Sequence, residues 1–200
     1  MKYIEMVGLS GVGKTTLLTS AENPIDKDVL VCGPVNPSIL NHAAQFFYLL
    51  FRLVLASPIS AFAIIRKPEW VRLLFKVSYR VAGIKQRSIS SEKTVFLRDS
   101  GILMPIVSSM LDDQLKIKLY PIDKLLQLLP LPVTVVFILD DNYRAVYERF
   151  VKRESEKGRD LSAYSPELFS SVSVFLVQLA SELEKFHINV TKIYINSQGE

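Results

Sequence analysis

Residues Gly8 to Thr16 read GLSGVGKTT and stand directly behind the short apolar run Tyr3-Ile4-Glu5-Met6-Val7. Few stretches constrain a fold as tightly. A strand must deliver the chain into a glycine-rich turn, and a helix must start at the lysine. The spacing Gly8-x-x-x-x-Gly13-Lys14-Thr15 is a complete P-loop pattern. Glycines let the backbone turn sharply and bring its N–H groups close to phosphate oxygens, and the helix that follows turns its positive dipole end to the same anion. Lys14 reaches the β- and γ-phosphates as a point charge, and the Thr15 hydroxyl is a ligand for Mg²⁺. Gly8, Ser10, Gly11, Val12, Gly13, Lys14, Thr15 and Thr16 are therefore the expected nucleotide-binding residues, with ATP and Mg²⁺ as the expected cofactors.

The rest of the chain alternates strand-like and helix-like segments, which argues for a parallel α/β sheet. Strands are expected at Tyr3–Val7, Asp28–Gly33, Thr94–Arg98, Val133–Leu139 and Ile188–Ile195. Helices are expected from Lys14 to Ala21, over a long region from Pro37 to about Ile89 with breaks near Pro58 and Pro68, at Ile102–Leu111 and Ile122–Leu129, after Asp140-Asp141-Asn142, and from Ser165-Pro166-Glu167 onward. Pro166 suits the first helical position. The run VTVVFIL is free of charge, as in a strand covered on both faces. The 200 residues, 49% hydrophobic and 22% charged, suit one domain over 1–200. One cysteine, Cys32, excludes a disulfide framework and a zinc cluster. The start of the chain lacks a signal-peptide pattern, so a cytoplasmic location is expected.

A phosphate cradle alone does not define a reaction. No Asn-Lys-x-Asp guanine reader and no Leu-Ser-Gly-Gly signature occurs, which argues against a small GTPase and an ABC ATPase. A small-molecule kinase needs a carboxylate at a strand end, an arginine-rich lid and an acceptor pocket. The carboxylate candidate is Asp99, behind TVFLR; it would hold the metal through water or take the proton from an attacking hydroxyl, and the sequence leaves both open. The lid candidate spans about 149–165. Arg149 and Arg153 share a helix face, Gly158 breaks the helix, and Arg159 follows on the loop. Arginines brought in by a closing lid stabilise charge on phosphoryl oxygens. The catalytic candidates are thus Lys14, Asp99, Arg149, Arg153 and Arg159, and the metal candidates Thr15 and Asp99.

The tighter form Gly8-x-x-Gly11-x-Gly13-Lys14-Thr15, followed in order by the Asp99 strand, the VTVVFILDD strand and an Arg/Lys lid, resembles the nucleoside monophosphate kinases, thymidylate kinase in particular. The resemblance implies a three-layer P-loop NTPase fold, with a five-stranded parallel sheet flanked by helices, a helical insertion and a lid. It also implies ATP with Mg²⁺ as donor, lid arginines near the transferred phosphate, and adenine near Asn196-Ser197-Gln198. Two features depart from thymidylate kinases: the order Arg98-Asp99-Ser100-Gly101, and a greasy stretch from Ile39 to Ile84. Both bring the chain closer to thymidylate-kinase-like proteins of bacterial surface-polysaccharide clusters.

That stretch lies in the expected helical acceptor region, about 37–90. Between His42 and Ser91 stand Arg52, Arg66, Lys67, Arg72, Lys76, Arg80, Lys85 and Arg87 against one acid, Glu69. Arg72, Lys76 and Arg80 recur every four residues, beside Trp70, Val71, Leu74, Phe75 and Val81. Such a face lines a pocket for an anionic acceptor, or forms the solvated side of an ordinary helix, or lies on an anionic membrane. A membrane span is not expected, because charge-free stretches are interrupted or short of ~20 residues. His42 and His187 lack partners at catalytic spacing, and with a net charge of only +4 no nucleic-acid partner is expected. The reading is an ATP-dependent kinase with a nucleotide-like or sugar-like acceptor; a homodimer and a peripheral membrane contact stay open. The rival is a non-catalytic nucleotide-binding protein that docks on a membrane or partner through its basic amphipathic helices.

Overall fold

The computed structural model of the chain describes residues 3–20, 29–32, 36–88, 94–97, 101–112 and 119–195. Asp99 and the segment Asn196-Ser197-Gln198, on which expectations were placed, lie outside the described residues.

The strands are β1 (Tyr3–Gly8), β2 (Val29–Cys32), β3 (Thr94–Leu97), β4 (Thr134–Leu139) and β5 (Asn189–Tyr194). They pair in parallel in the order β2-β3-β1-β4-β5. Three six-residue strands, β1, β4 and β5, carry most of the sheet, and the four-residue β2 and β3 extend it on the β1 side. Apolar residues on both faces of β1 and β4 are buried, as a parallel strand covered from two sides requires. Edge strand β5 is only partly covered.

Helix α1 (Lys14–Ser20) follows the glycine loop. The long helical region is three helices, α2 (Ile39–Ala56), α3 (Pro58–Ile65) and α4 (Pro68–Ser88). Proline sits at the start of α3 and of α4, where its missing N–H costs nothing. Ser57 manages the first break from both sides: its N–H donates to Leu53 O (2.8 Å) and its hydroxyl accepts from Ser60 N (3.4 Å). Then come α5 (Met104–Asp112), α6 (Leu119–Leu126), α7 (Tyr143–Ser155) and α8 (Pro166–Lys185). Asn142 caps α7 and Ser165 caps α8 through their side chains. Helix α5 lies on β1 and α8 on β4 and β5; α4 packs on α5, and α2 and α3 pack on α4.

His42 belongs to this packing. Its Nε2 lies 3.1 Å from Ser78 Oγ and 3.2 Å from Phe75 O, so it ties α2 to α4.

The sequence gives no warning of Glu5. This carboxylate stands inside the sheet with no exposed surface. It accepts three backbone N–H bonds, from Ile102 (3.0 Å), Leu103 (2.8 Å) and Met104 (3.1 Å), and so closes the start of α5 against β1. Burial pushes its pKa up from 4.5 to about 7, although the three amides and the Arg80 charge pull it down. A folded pKa above the unfolded one means that Glu5 contributes stability fully below about pH 4.5, and that this is lost as pH rises to about 7. The expected size is roughly 3 kcal/mol. Urea unfolding of wild type and Glu5→Gln across this window measures it: the difference between the two should change with pH inside the window and be flat above it. Parallel curves throughout would rule it out.

Candidate functional site

The loop between β1 and α1 forms the floor of a cavity of about 820 Å³. Gly11 and Gly13 hold φ of +94° and +95°, a region in which a side chain is strained. Gly11 also has no room for one, because a Cβ there would lie 2.7 Å from Val146 O and 3.1 Å from Phe150 N. The loop thus rests directly on the backbone of α7. That contact brings the polar side of α7 to the edge of the cavity.

Ser10, Gly11, Val12, Gly13, Lys14, Thr15 and Thr16 line the floor, and Arg149, Arg153 and Lys157 line the adjoining wall. Among the described residues, four cations and no acid face this space. Such a field suits a polyanion. Lys14 is buried and donates to Gly8 O (2.8 Å) and Leu9 O (3.0 Å), so its ammonium is held on the loop. Gly8 closes β1 and takes part through that carbonyl.

Buried acids hold the cations of the wall from behind. Asp140, at the end of β4, accepts from Arg149 at 2.7 Å and from Asn142 N at 2.9 Å. Glu154 lies within 2.9 Å of both Arg153 and Lys157 and 3.2 Å from Arg159. The Lys157 hydrogen bond first, then Arg153, holds the Glu154 carboxyl below its ordinary range despite burial. Arg153 also donates to Ser10 Oγ and so bridges wall and loop.

The structure therefore brings together all the loop candidates except Gly8, together with Arg149 and Arg153. Arg159 stands behind the wall, on Glu154, and does not line the cavity. The sequence reading passed over Lys157, Glu154 and Asp140. Lys157 had a signal, one helical turn beyond Arg153, and the pairing of Asp140 with Arg149 needs the fold.

A second cavity of about 370 Å³ lies between α4 and α5, lined by Phe75, Lys76, Tyr79, Arg80, Met104, Pro105 and Ser108. Met104 lines both cavities. Of the three cations spaced by four on α4, Lys76 and Arg80 reach this cavity and Arg72 does not. Trp70, Leu74 and Val81 go into the core instead.

Thr15 supplies one hydroxyl to the first cavity, and no group of three or more His, Cys, Asp or Glu able to hold a metal occurs among the described residues. Hydroxyls beside a cationic floor fit a Mg²⁺ that arrives on phosphate oxygens.

No protein-family model and no curated protein matches the chain. Among solved structures it is similar to deoxyadenosine kinase from M. mycoides with bound dATP, at 12% identity over 96% of this chain and 90% of that one, with a TM-score of 0.48. It is also similar to thymidylate kinase from Ehrlichia chaffeensis, at 20% identity over 100% of this chain and 88% of that one, with a TM-score of 0.49. With such identities and TM-scores, the functional reading rests on the chain's own residues.

Proposed function

We propose that the chain is a phosphotransferase that moves the γ-phosphoryl group of Mg-ATP to an anionic small-molecule acceptor, nucleotide-like or sugar-like. One observation carries this reading. A cavity with a P-loop floor and a wall of Arg149, Arg153 and Lys157 shares Met104 with a second cavity that offers Lys76, Arg80 and two aromatic rings.

In this reading the loop amides and Lys14 hold the β- and γ-phosphates, and Thr15 is the protein's ligand to Mg²⁺, which would draw charge from the phosphate oxygens. The acceptor lies on Phe75 and Tyr79, with its anionic group on Lys76 and Arg80. One of its oxygens attacks the γ-phosphorus in line; an O–P bond forms there as the bond to the β,γ-bridging oxygen breaks, and ADP leaves. Arg149, Arg153 and Lys157 stabilise the charge on the transferred group. Asp140 and Glu154 are positioning residues that hold those cations in place. Asp99 is the proposed metal partner or base. Arg159 acts through Glu154, its ion-pair partner.

The test is ADP release across two acceptor panels, nucleoside monophosphates including dTMP, and sugars and sugar acids. One panel should stimulate release. With the stimulating acceptor, Arg80→Ala should raise KM roughly tenfold or more, the size of a lost charged hydrogen bond, and leave the KM for ATP unchanged. An unchanged acceptor KM would remove the second cavity from the proposal.

A further inference from the structure

Helix α2 buries a narrow stripe of His42, Gln45, Leu49 and Leu53. Its other side carries Leu40, Phe47, Phe51 and Leu55, all exposed, and Phe51 is 62% exposed. These positions lie within about a third of a turn of one another, opposite the buried stripe. Helix α3 continues the surface with Ile59, 76% exposed, and with Phe62 and Ile65. Scattered apolar residues need no explanation, but two adjoining helices with unbroken apolar faces do. By length and composition α2 would also cross a bilayer. Its inner stripe is committed to α4 through His42 and Ser78, so here it is a surface helix.

Charge decides what covers this face. Arg52 lies 5.8 Å from the Tyr48 ring, Arg66 lies 4.6 Å from the Phe62 ring, and exposed Lys67 follows. Glu69 is the sole acid from residue 36 to residue 88. In a symmetric pair of copies the same patch meets itself, and these cations would face their own counterparts with scarcely an acid between them. A bilayer with anionic headgroups answers both features, since rings and aliphatic chains enter the headgroup boundary while arginine and lysine reach phosphates.

We propose that the outer face of α2 and α3 docks this protein on an anionic lipid bilayer, with Phe47, Phe51, Ile59 and Phe62 at the acyl boundary and Arg52, Arg66 and Lys67 among the headgroups. The inference is independent of phosphoryl transfer.

The experiment is sedimentation of the full chain with vesicles of phosphatidylcholine alone and of phosphatidylcholine mixed with phosphatidylglycerol. Binding is expected with the mixed vesicles and should weaken as salt is added. Phe51→Glu and Ile59→Glu should each abolish it without changing the thermal melt, because both side chains already face solvent. The double change Arg66→Gln and Lys67→Gln should lower the association constant roughly 30-fold. Absence of binding to mixed vesicles, or equal binding to neutral ones, overturns the proposal. So does a dimer in solution that Phe51→Glu dissociates while vesicles capture none of the protein; a second copy then covers the face.

Discussion

Replacing Lys14 by alanine should lower phosphoryl transfer by roughly 10²–10³-fold, the cost of removing a preorganised charge from a phosphoryl-transfer site. The ammonium is buried on the loop floor, fixed by Gly8 O at 2.8 Å and Leu9 O at 3.0 Å. It therefore costs little reorganisation when charge grows on the phosphoryl oxygens. Arg149, Arg153 and Lys157 remain on the wall in this variant. Nucleotide affinity should thus fall less than kcat, and the split between KM and kcat separates a lost catalytic charge from a collapsed site. The cost to stability should be about 1 kcal/mol, because two carbonyls lose a donor close to the cavity surface. An unchanged kcat would end the assignment of Lys14.

The second large effect falls on the fold. Gly101→Ala should destabilise the protein by roughly 3 kcal/mol or more. A Cβ there would stand 1.9 Å from the Glu5 carboxyl carbon. A flexible side chain could step aside, but Glu5 is enclosed and holds the amides of Ile102, Leu103 and Met104. Moving it frees three donors, two of them buried, and leaving it in place forces β1 and α5 apart. Met104 lines both cavities, so acceptor binding and nucleotide binding should weaken together in the folded fraction. Urea unfolding reads the first effect. A midpoint equal to wild type would show that the close approach is relieved at no cost.

Much of this was legible in the sequence because it is local. The loop declares itself by spacing: glycines where the backbone has positive φ, and lysine where the helix begins. Pro58 and Pro68 open α3 and α4 because proline cannot continue a helix and is harmless at its first position. Arg149 and Arg153 share the wall of the cavity because four residues make one helical turn.

What depends on tertiary approach was not legible. Glu5 read as one more member of a strand, and its partners lie 97 to 99 residues further along the chain. Periodicity treats Arg72, Lys76 and Arg80 alike, but α5 closes the second cavity over the last two alone. Arg159 counted as a lid arginine by position, and the buried carboxylate of Glu154 holds it behind the wall. The apolar character of α2 was plain, but its direction was not: the pattern cannot say that the buried stripe would be narrow and the rings would face outward.

The most direct test of phosphoryl transfer is the fate of the γ-phosphoryl group, followed with γ-labelled ATP, Mg²⁺ and the acceptor that stimulates ADP release. Label should appear on the acceptor in step with ADP, and Lys14→Ala should suppress both together. Label recovered only as inorganic phosphate, or ATP bound with no label moved for any acceptor on either panel, would contradict the account and make the chain a nucleotide-binding protein of another kind.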